Sequence, residues 1–206
     1  MTAKDVKQKL NALASPDVAK SSVRFFKTGP GQYGEGDIFI GVNVPTLRTL
    51  SREFRLLPLE EIESLLKSPI HEERHLALMV LALRAKCDVA HRQAAFYFYL
   101  ENRKFVNNWD LVDCSAPQVA GGFLMDKSRK PLFDLTRLKS LWDRRIAIVA
   151  THCFIRHDDF ADTLAISQRL LKDEEDLIHK AAGWMLREVG KKAQPSWKRS
   201  SISTER

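Results

Sequence analysis

The stretch "NNWDLVDCSAP", Asn107 to Pro117, gathers side chains able to stabilise a positive charge. Read as a helix, it places Trp109 and Asp113 at i and i+4, one turn apart on one face. An indole face attracts a cation, and a carboxylate stabilises positive charge that develops beside it. Asn107 or Asn108 reads as the helix cap. Asp110 then sits in the first turn, where the helix dipole explains it without any function. Pro117 has no N–H for the carbonyl four residues back, which belongs to Asp113. Proline inside a helix costs about 3 kcal/mol. The helix should therefore bend near Asp113 or leave an acceptor free there, although curvature of a larger helical array would account for the same bend.

The elements that must position these groups show in the spacing. Segments beginning "HLALMVLALR" (His75), "DLVDCSAPQV" (Asp110), "RIAIVATHCF" (Arg145) and "KAAGWMLREV" (Lys180) follow one another at 35 residues. Their second column is Leu76, Leu111, Ile146 and Ala181, and their third is Ala77, Val112, Ala147 and Ala182. Two apolar columns that need no gap mark a helix–turn–helix repeat, which buries its apolar face only by stacking on its neighbours. Val89–Asn102 and Phe160–Lys172 read as partner helices, and residues 45–67 as a further pair divided at Pro58. Strand signals are few. The expectation is an all-α fold, a curved superhelix of HEAT-like repeats, with an irregular helical bundle as the alternative.

The leading column, His75, Asp110, Arg145 and Lys180, is polar throughout. A concave strip carrying Arg144, Arg145, Lys180 and the nearby Arg187 would follow a phosphate backbone; solvated helix ends account for it equally well. Trp184 lies two repeats after Trp109 and follows Gly183, which leaves room on the helix surface. Core packing would explain Trp184 too. Two indoles, a carboxylate and a guanidinium on corresponding helices nevertheless suit a positively charged aromatic ligand beside a phosphate.

Bulk properties bound the answer. A chain of 206 residues with 44% hydrophobic content suits one domain with a real core. No apolar run is long enough to span a bilayer, and "MTAKDVKQKLNALAS" has no signal-peptide core. Three cysteines, Cys87, Cys114 and Cys153, without metal-ligand spacing fit a reducing cytoplasm. The net charge is +7, of which the segment from Lys191 to Arg206 supplies +4, with five basic residues and one acidic. A polyanion partner is suggested only weakly by such a balance, so any nucleic-acid site must come from local clustering. The expected organisation is one domain over residues 1–190 and a basic, disordered tail over 191–206.

The motifs "NWDLVDCSAP", "LWDRRIAIVA" and "HKAAGWMLREVGKK" resemble those of the AlkD-type DNA alkylation repair proteins, a family of HEAT-like repeat DNA glycosylases. The resemblance covers roughly residues 5–190 and is specific in the pairing of W-D-x-V-D-x-x-x-P with G-W-x-L-R-E. It implies removal of cationic purines alkylated at N3 or N7, such as 3-methyladenine and 7-methylguanine, from duplex DNA in base-excision repair. Asp113 maps onto the active carboxylate, which would stabilise an oxocarbenium-like sugar and position water. Trp109 and Trp184 map onto the aromatic pair beside it, and Arg145 onto the phosphate-binding arginine. Many glycosylases extrude the base, whereas this family works without deep base flipping. No metal or organic cofactor is implied. The implied partner is duplex DNA carrying alkylated bases, met by a cytoplasmic monomer that joins the nucleoid when acting on DNA.

"RFFKTGPGQYGEGDIFIGVNVPTLR", Arg24 to Arg48, also looks like a branch of this family. Its glycines permit a tight loop, and it lacks the G-K-[ST] ending of a nucleotide-binding loop. Phe25, Lys27 and Arg48 are candidate DNA contacts here, with Phe25 where relatives can carry tyrosine. Backbone amides of the loop could touch phosphate, or the loop could be a rigid turn. Past "REVGKK" the family usually continues into a capping helix; here the chain turns polar, which predicts an exposed apolar face on the last repeat and lower stability. Two other readings remain open: a non-catalytic protein that binds damaged or distorted DNA, and a protein-binding HEAT scaffold. His152 and His157 with Asp158 and Asp159 are poor metal ligands, since the histidines do not share a face and the aspartates should cap the next helix. Cys114 shows no histidine partner identifiable from sequence.

Overall fold

A computed structural model describes residues 1–193. Its helices, in chain order, are α1 (Ala3–Ala12), α2 (Pro16–Phe25), α3 (Val44–Glu53), α4 (Leu59–Leu66), α5 (His71–Arg84), α6 (Val89–Asn102) and α7 (Trp109–Ala116). There follow a π-helical turn (Pro117–Gly121), α8 (Gly122–Leu124), α9 (Lys130–Leu135), α10 (Leu141–Ala150), α11 (His152–Arg156), α12 (Ala161–Arg169) and α13 (Asp176–Ala193). The fold is all-α, and among the described residues β-pairing is confined to an isolated bridge between Ile38 and Ile70. No helix among them is long and apolar enough to cross a membrane.

The sequence columns are the seam of a helical repeat array. Helices α5, α7, α10 and α13 each pack on the next in a row. Leu76, Leu111, Ile146 and Ala181 from the second column are all buried, as are Ala77, Val112 and Ala147 from the third. The partner helices also lie close to where expected: α6 spans Val89–Asn102, α3 and α4 flank Pro58, and α12, Ala161–Arg169, is shorter than the expected Phe160–Lys172. One hydrophobic cluster runs from Ala3 to Met185. Helix α13 continues through Ala193, beyond the expected boundary at 190. The expectation of a disordered tail falls, from residue 194 onward, outside the described residues.

The helical path runs on through Pro117, and one local expectation needs correction. α7 widens into the π turn at Pro117 and passes directly into α8, so the proline is accommodated by a change of hydrogen-bond register within a continuous helical path. Gly121 in that turn lies so close to α10 that an added Cβ would collide with the Ala150 carbonyl oxygen. Asp158 and Asp159 do not cap α12, whose N-terminal flank is Phe160 without a side-chain cap. Asp159 instead joins Asp162 on Arg129, while Asp158 takes a positive φ of 60°.

Candidate active site

Asn108 supplies the expected cap of α7, accepting from the Trp109 N–H at 2.8 Å. Helix α7 then presents Asp113 toward α10, where Arg145 donates from Nε at 3.0 Å and from Nη2 at 2.8 Å to its two carboxylate oxygens. The third arm of the guanidinium, Nη1, donates to the Leu177 carbonyl at the start of α13 at 2.6 Å. Arg145 thus ties three successive repeats together and is 6% exposed as a side chain, against 20% for Asp113. Burial pushes the Asp113 carboxyl above its ordinary value, and the hydrogen bonds and charge of Arg145 offset only part of that. Asp113 is a desolvated carboxylate held in one orientation by a fork of donors.

Asp113 opens onto a cleft of about 370 Å³ lined also by Arg48, Arg52, Lys86, Cys114 and Gln118. Arg48, Arg52 and Lys86 are exposed, so cationic groups that retain their freedom surround the carboxylate. Arg48 was expected near DNA; Arg52 and Lys86 were not singled out, because a cation on a helix face carries no signal of what it faces.

Trp109 lies under the strap from Phe25 to Gly41. Its ring stacks on Phe26 at 5.3 Å and meets the edge of Phe25 at 5.8 Å, and its Nε1–H donates to the Tyr33 hydroxyl at 3.3 Å. Tyr33 therefore brings a phenol to Trp109, beside the exposed Phe25. Trp184 packs against His152 at 5.6 Å on the last repeat. Gly183 beside it faces open space, as the sequence suggested.

The expected basic strip is only partly available. Arg144 does not face a phosphate track. It is bound to Asp173 at 2.6 and 3.2 Å and to the carbonyls of Leu138 and Lys139, because the turn before α13 offers it a buried carboxylate. Arg145 likewise has all three donor positions engaged, so it is not free for a phosphate while Asp113 keeps it. Lys180 and Lys27 line one shared cleft with Tyr33, and Lys180 makes only an exposed pair with Asp176. Arg187 is exposed on α13.

Beside α7 lies a buried polar cluster that the sequence reading missed. The helix dipole alone does not account for Asp110. Its Oδ2 lies 2.8 Å from His71 Nε2 and 3.2 Å from His75 Nδ1. His71 Nδ1 donates to Asp37 at 2.9 Å, and Asp37 also accepts from Arg74 and from Asn108. With carboxylates on both sides, both ring nitrogens of His71 must donate. Burial disfavours that charge, but the hydrogen bonds to Asp110 and Asp37 outweigh it and lift His71 to about 9. For His75, burial opposes the charge in the same way; Cys114 and Asp110 together raise it to about 10. Asp110 is held well below the usual carboxylate range, its burial outweighed by the two histidines. Cys114 has a histidine neighbour after all, supplied by another helix. The signal that could have revealed the cluster was "HEERH", two histidines at i and i+4 on an apolar helix.

Residues 6–204 match the family described as DNA alkylation repair enzyme. The chain belongs to that family. A solved structure of a predicted DNA alkylation repair enzyme from Enterococcus faecalis matches with a TM-score of 0.62 and 19% identity, over 91% of this chain and 87% of that one. At that identity the likeness supports the shared helical fold. No curated protein matches the chain.

Proposed function

We propose that this protein is a DNA glycosylase that removes cationic N3- or N7-alkylated purines from duplex DNA, with Asp113 as its catalytic carboxylate. The observation that carries the reading is a desolvated Asp113, held from behind by the buried Arg145, on a cleft lined also by Arg48, Arg52 and Lys86. A cationic base is already a good leaving group, so the enzyme must chiefly stabilise positive charge on the departing sugar. A carboxylate in a poorly solvated position does this better than one in water.

Arg145 supports the same chemistry. In the free protein it neutralises Asp113. A phosphodiester entering the cleft offers the guanidinium a second anion of matching geometry, and Asp113 is then released toward the sugar cation and the attacking water. Arg48, Arg52, Lys86, Lys27, Lys180 and Arg187 hold the backbone in register and carry no base specificity. Trp109 and Trp184 do not line the Asp113 cleft and would offer their apolar edges to the backbone beyond it. The shallow cleft suits attack on a base approached from the backbone side.

The test is base release from duplex DNA containing 7-methylguanine, by the parent chain and by Asp113→Asn. Asparagine keeps the shape and loses the charge, so release should fall at least about 100-fold, with DNA affinity largely retained. Equal release by parent and variant would exclude Asp113 as the catalytic group. DNA binding without release by either would replace the glycosylase with a protein that recognises damage without cutting.

A further inference from the structure

"HEERH", His71 to His75, has the H-E-x-x-H spacing that places two imidazoles on one face of a helix for metal binding. Here they face a third ligand type, the Asp110 carboxylate of α7, and the donor atoms of all three lie within 4.8 Å of one another. Ligand atoms at zinc distances in a tetrahedron stand about 3.3 Å apart. The Asp110 Oδ2 separations of 2.8 and 3.2 Å are close to that spacing. Asp37 fixes His71 through Nδ1, leaving Nε2 directed at the cluster, and Arg74 and Asn108 fix Asp37 in turn. That is the carboxylate–histidine arrangement which orients metal-binding imidazoles. His75 is 4% exposed and turns Nδ1 to Asp110, while its Nε2, on the far side of the ring, is buried without a partner. Cys114 stands one turn after Asp110 on α7, its thiol now donating to the Leu111 carbonyl and its sulfur outside the group of three.

We propose that His71, His75 and Asp110 bind a divalent transition-metal ion of the zinc type, with the Cys114 thiolate, once rotated away from the Leu111 carbonyl, as the fourth ligand of a tetrahedral site. Imidazole, carboxylate and thiolate donors suit zinc and disfavour magnesium or calcium, which take oxygen ligands. The ion replaces the protons now shared between the imidazoles and Asp110. Entry is through the Asp113 cleft, which Cys114 also lines. The site is a structural clamp and not a hydrolytic centre. Glu72, which would be the general base of an H-E-x-x-H peptidase, accepts instead from the amides of Ile40, Gly41 and Val42. Bound metal would lock α5 to α7 directly below Asp113.

The experiment uses the full chain, produced with zinc supplied and then desalted, with metal content measured by mass spectrometry. A single tightly held equivalent of zinc is expected, lost to a chelator together with a fall in Tm. Cobalt(II) added to the stripped protein should give the visible spectrum of a tetrahedral site with a thiolate charge-transfer band. Asp37→Asn should weaken zinc binding by about 10- to 100-fold. Cys114→Ser, at a half-buried position, should keep the fold and the cobalt d–d bands while losing the thiolate band. A parent chain that retains no zinc, gives no cobalt spectrum and keeps the same Tm with zinc or chelator overturns the site. Survival of the charge-transfer band in Cys114→Ser overturns the thiolate ligand.

Discussion

Asp113 is pulled in two directions, and the balance sets a measurable pH dependence. Burial raises its pKa, and Arg145 restrains the rise. Since the folded value lies above the unfolded one, the native state holds the proton more tightly, and ionising Asp113 costs stability as pH rises through the folded pKa. Catalysis needs the ionised form. The acid limb of kcat/KM for base release should therefore lie above the ordinary aspartate range, with activity growing as pH increases. Arg145→Gln removes the larger opposing influence and should move that limb to still higher pH. Breaking this pair should also destabilise the fold by on the order of 3 kcal/mol, so the profile is best taken well below the variant's Tm. A limb that stays in place in Arg145→Gln would show that a different group titrates.

At the scale of elements, the strap between α2 and α3 decides whether Trp109 has a partner. Gly41 has φ +82°, and a Cβ there would collide with the Ser15 carbonyl oxygen. Its N–H is one of the three that Glu72 accepts. Gly41→Ala should cost more than about 1 kcal/mol in denaturant unfolding and loosen the seat of Phe26 and Tyr33 on Trp109. A Trp109-sensitive fluorescence spectrum that does not change would contradict that coupling. The repeat helices were legible because burying one face needs only an apolar column at a fixed period, and the columns starting at Leu76 and Ala77 keep it. Arg145 was legible as important and misjudged in its partner, since the sequence does not reveal that Asp113 and the Leu177 carbonyl converge on it. The cluster at His71 was invisible for another reason. Its members come from the strap, α5 and α7, and Asp110 already had a local explanation as a first-turn acid. The strap was legible as a tight glycine loop, whereas the placement of Tyr33 against Trp109 depends on where α2 and α3 leave it.

For the whole molecule, net charge says less than its placement. Several basic side chains are consumed internally: Arg74 on Asp37, Arg129 on Asp159 and Asp162, Arg144 on Asp173, Arg145 on Asp113. These pairs join helices and offer little to an external anion. Among the described residues, exposed cations stand around the two clefts, Arg48, Arg52 and Lys86 at one and Lys27 and Lys180 at the other, with Arg187 on α13. Each phosphate neutralised releases condensed counterion and contributes about −0.9 to the slope of log K against log salt on B-form duplex. If the Arg48 and Arg52 side chains each meet a phosphate, the Arg48→Ala, Arg52→Ala double variant should flatten that slope by roughly 2. It should weaken binding equally on damaged and undamaged duplex, because backbone contacts carry no sequence or lesion information. Arg144→Ala should leave the slope unchanged and lower thermal stability, since its partner is Asp173 and not DNA. The opposite pattern, a flattened slope in Arg144→Ala and an unchanged one in the double variant, would place the phosphate track on the other side of the repeat row and remove the Asp113 cleft from the DNA path.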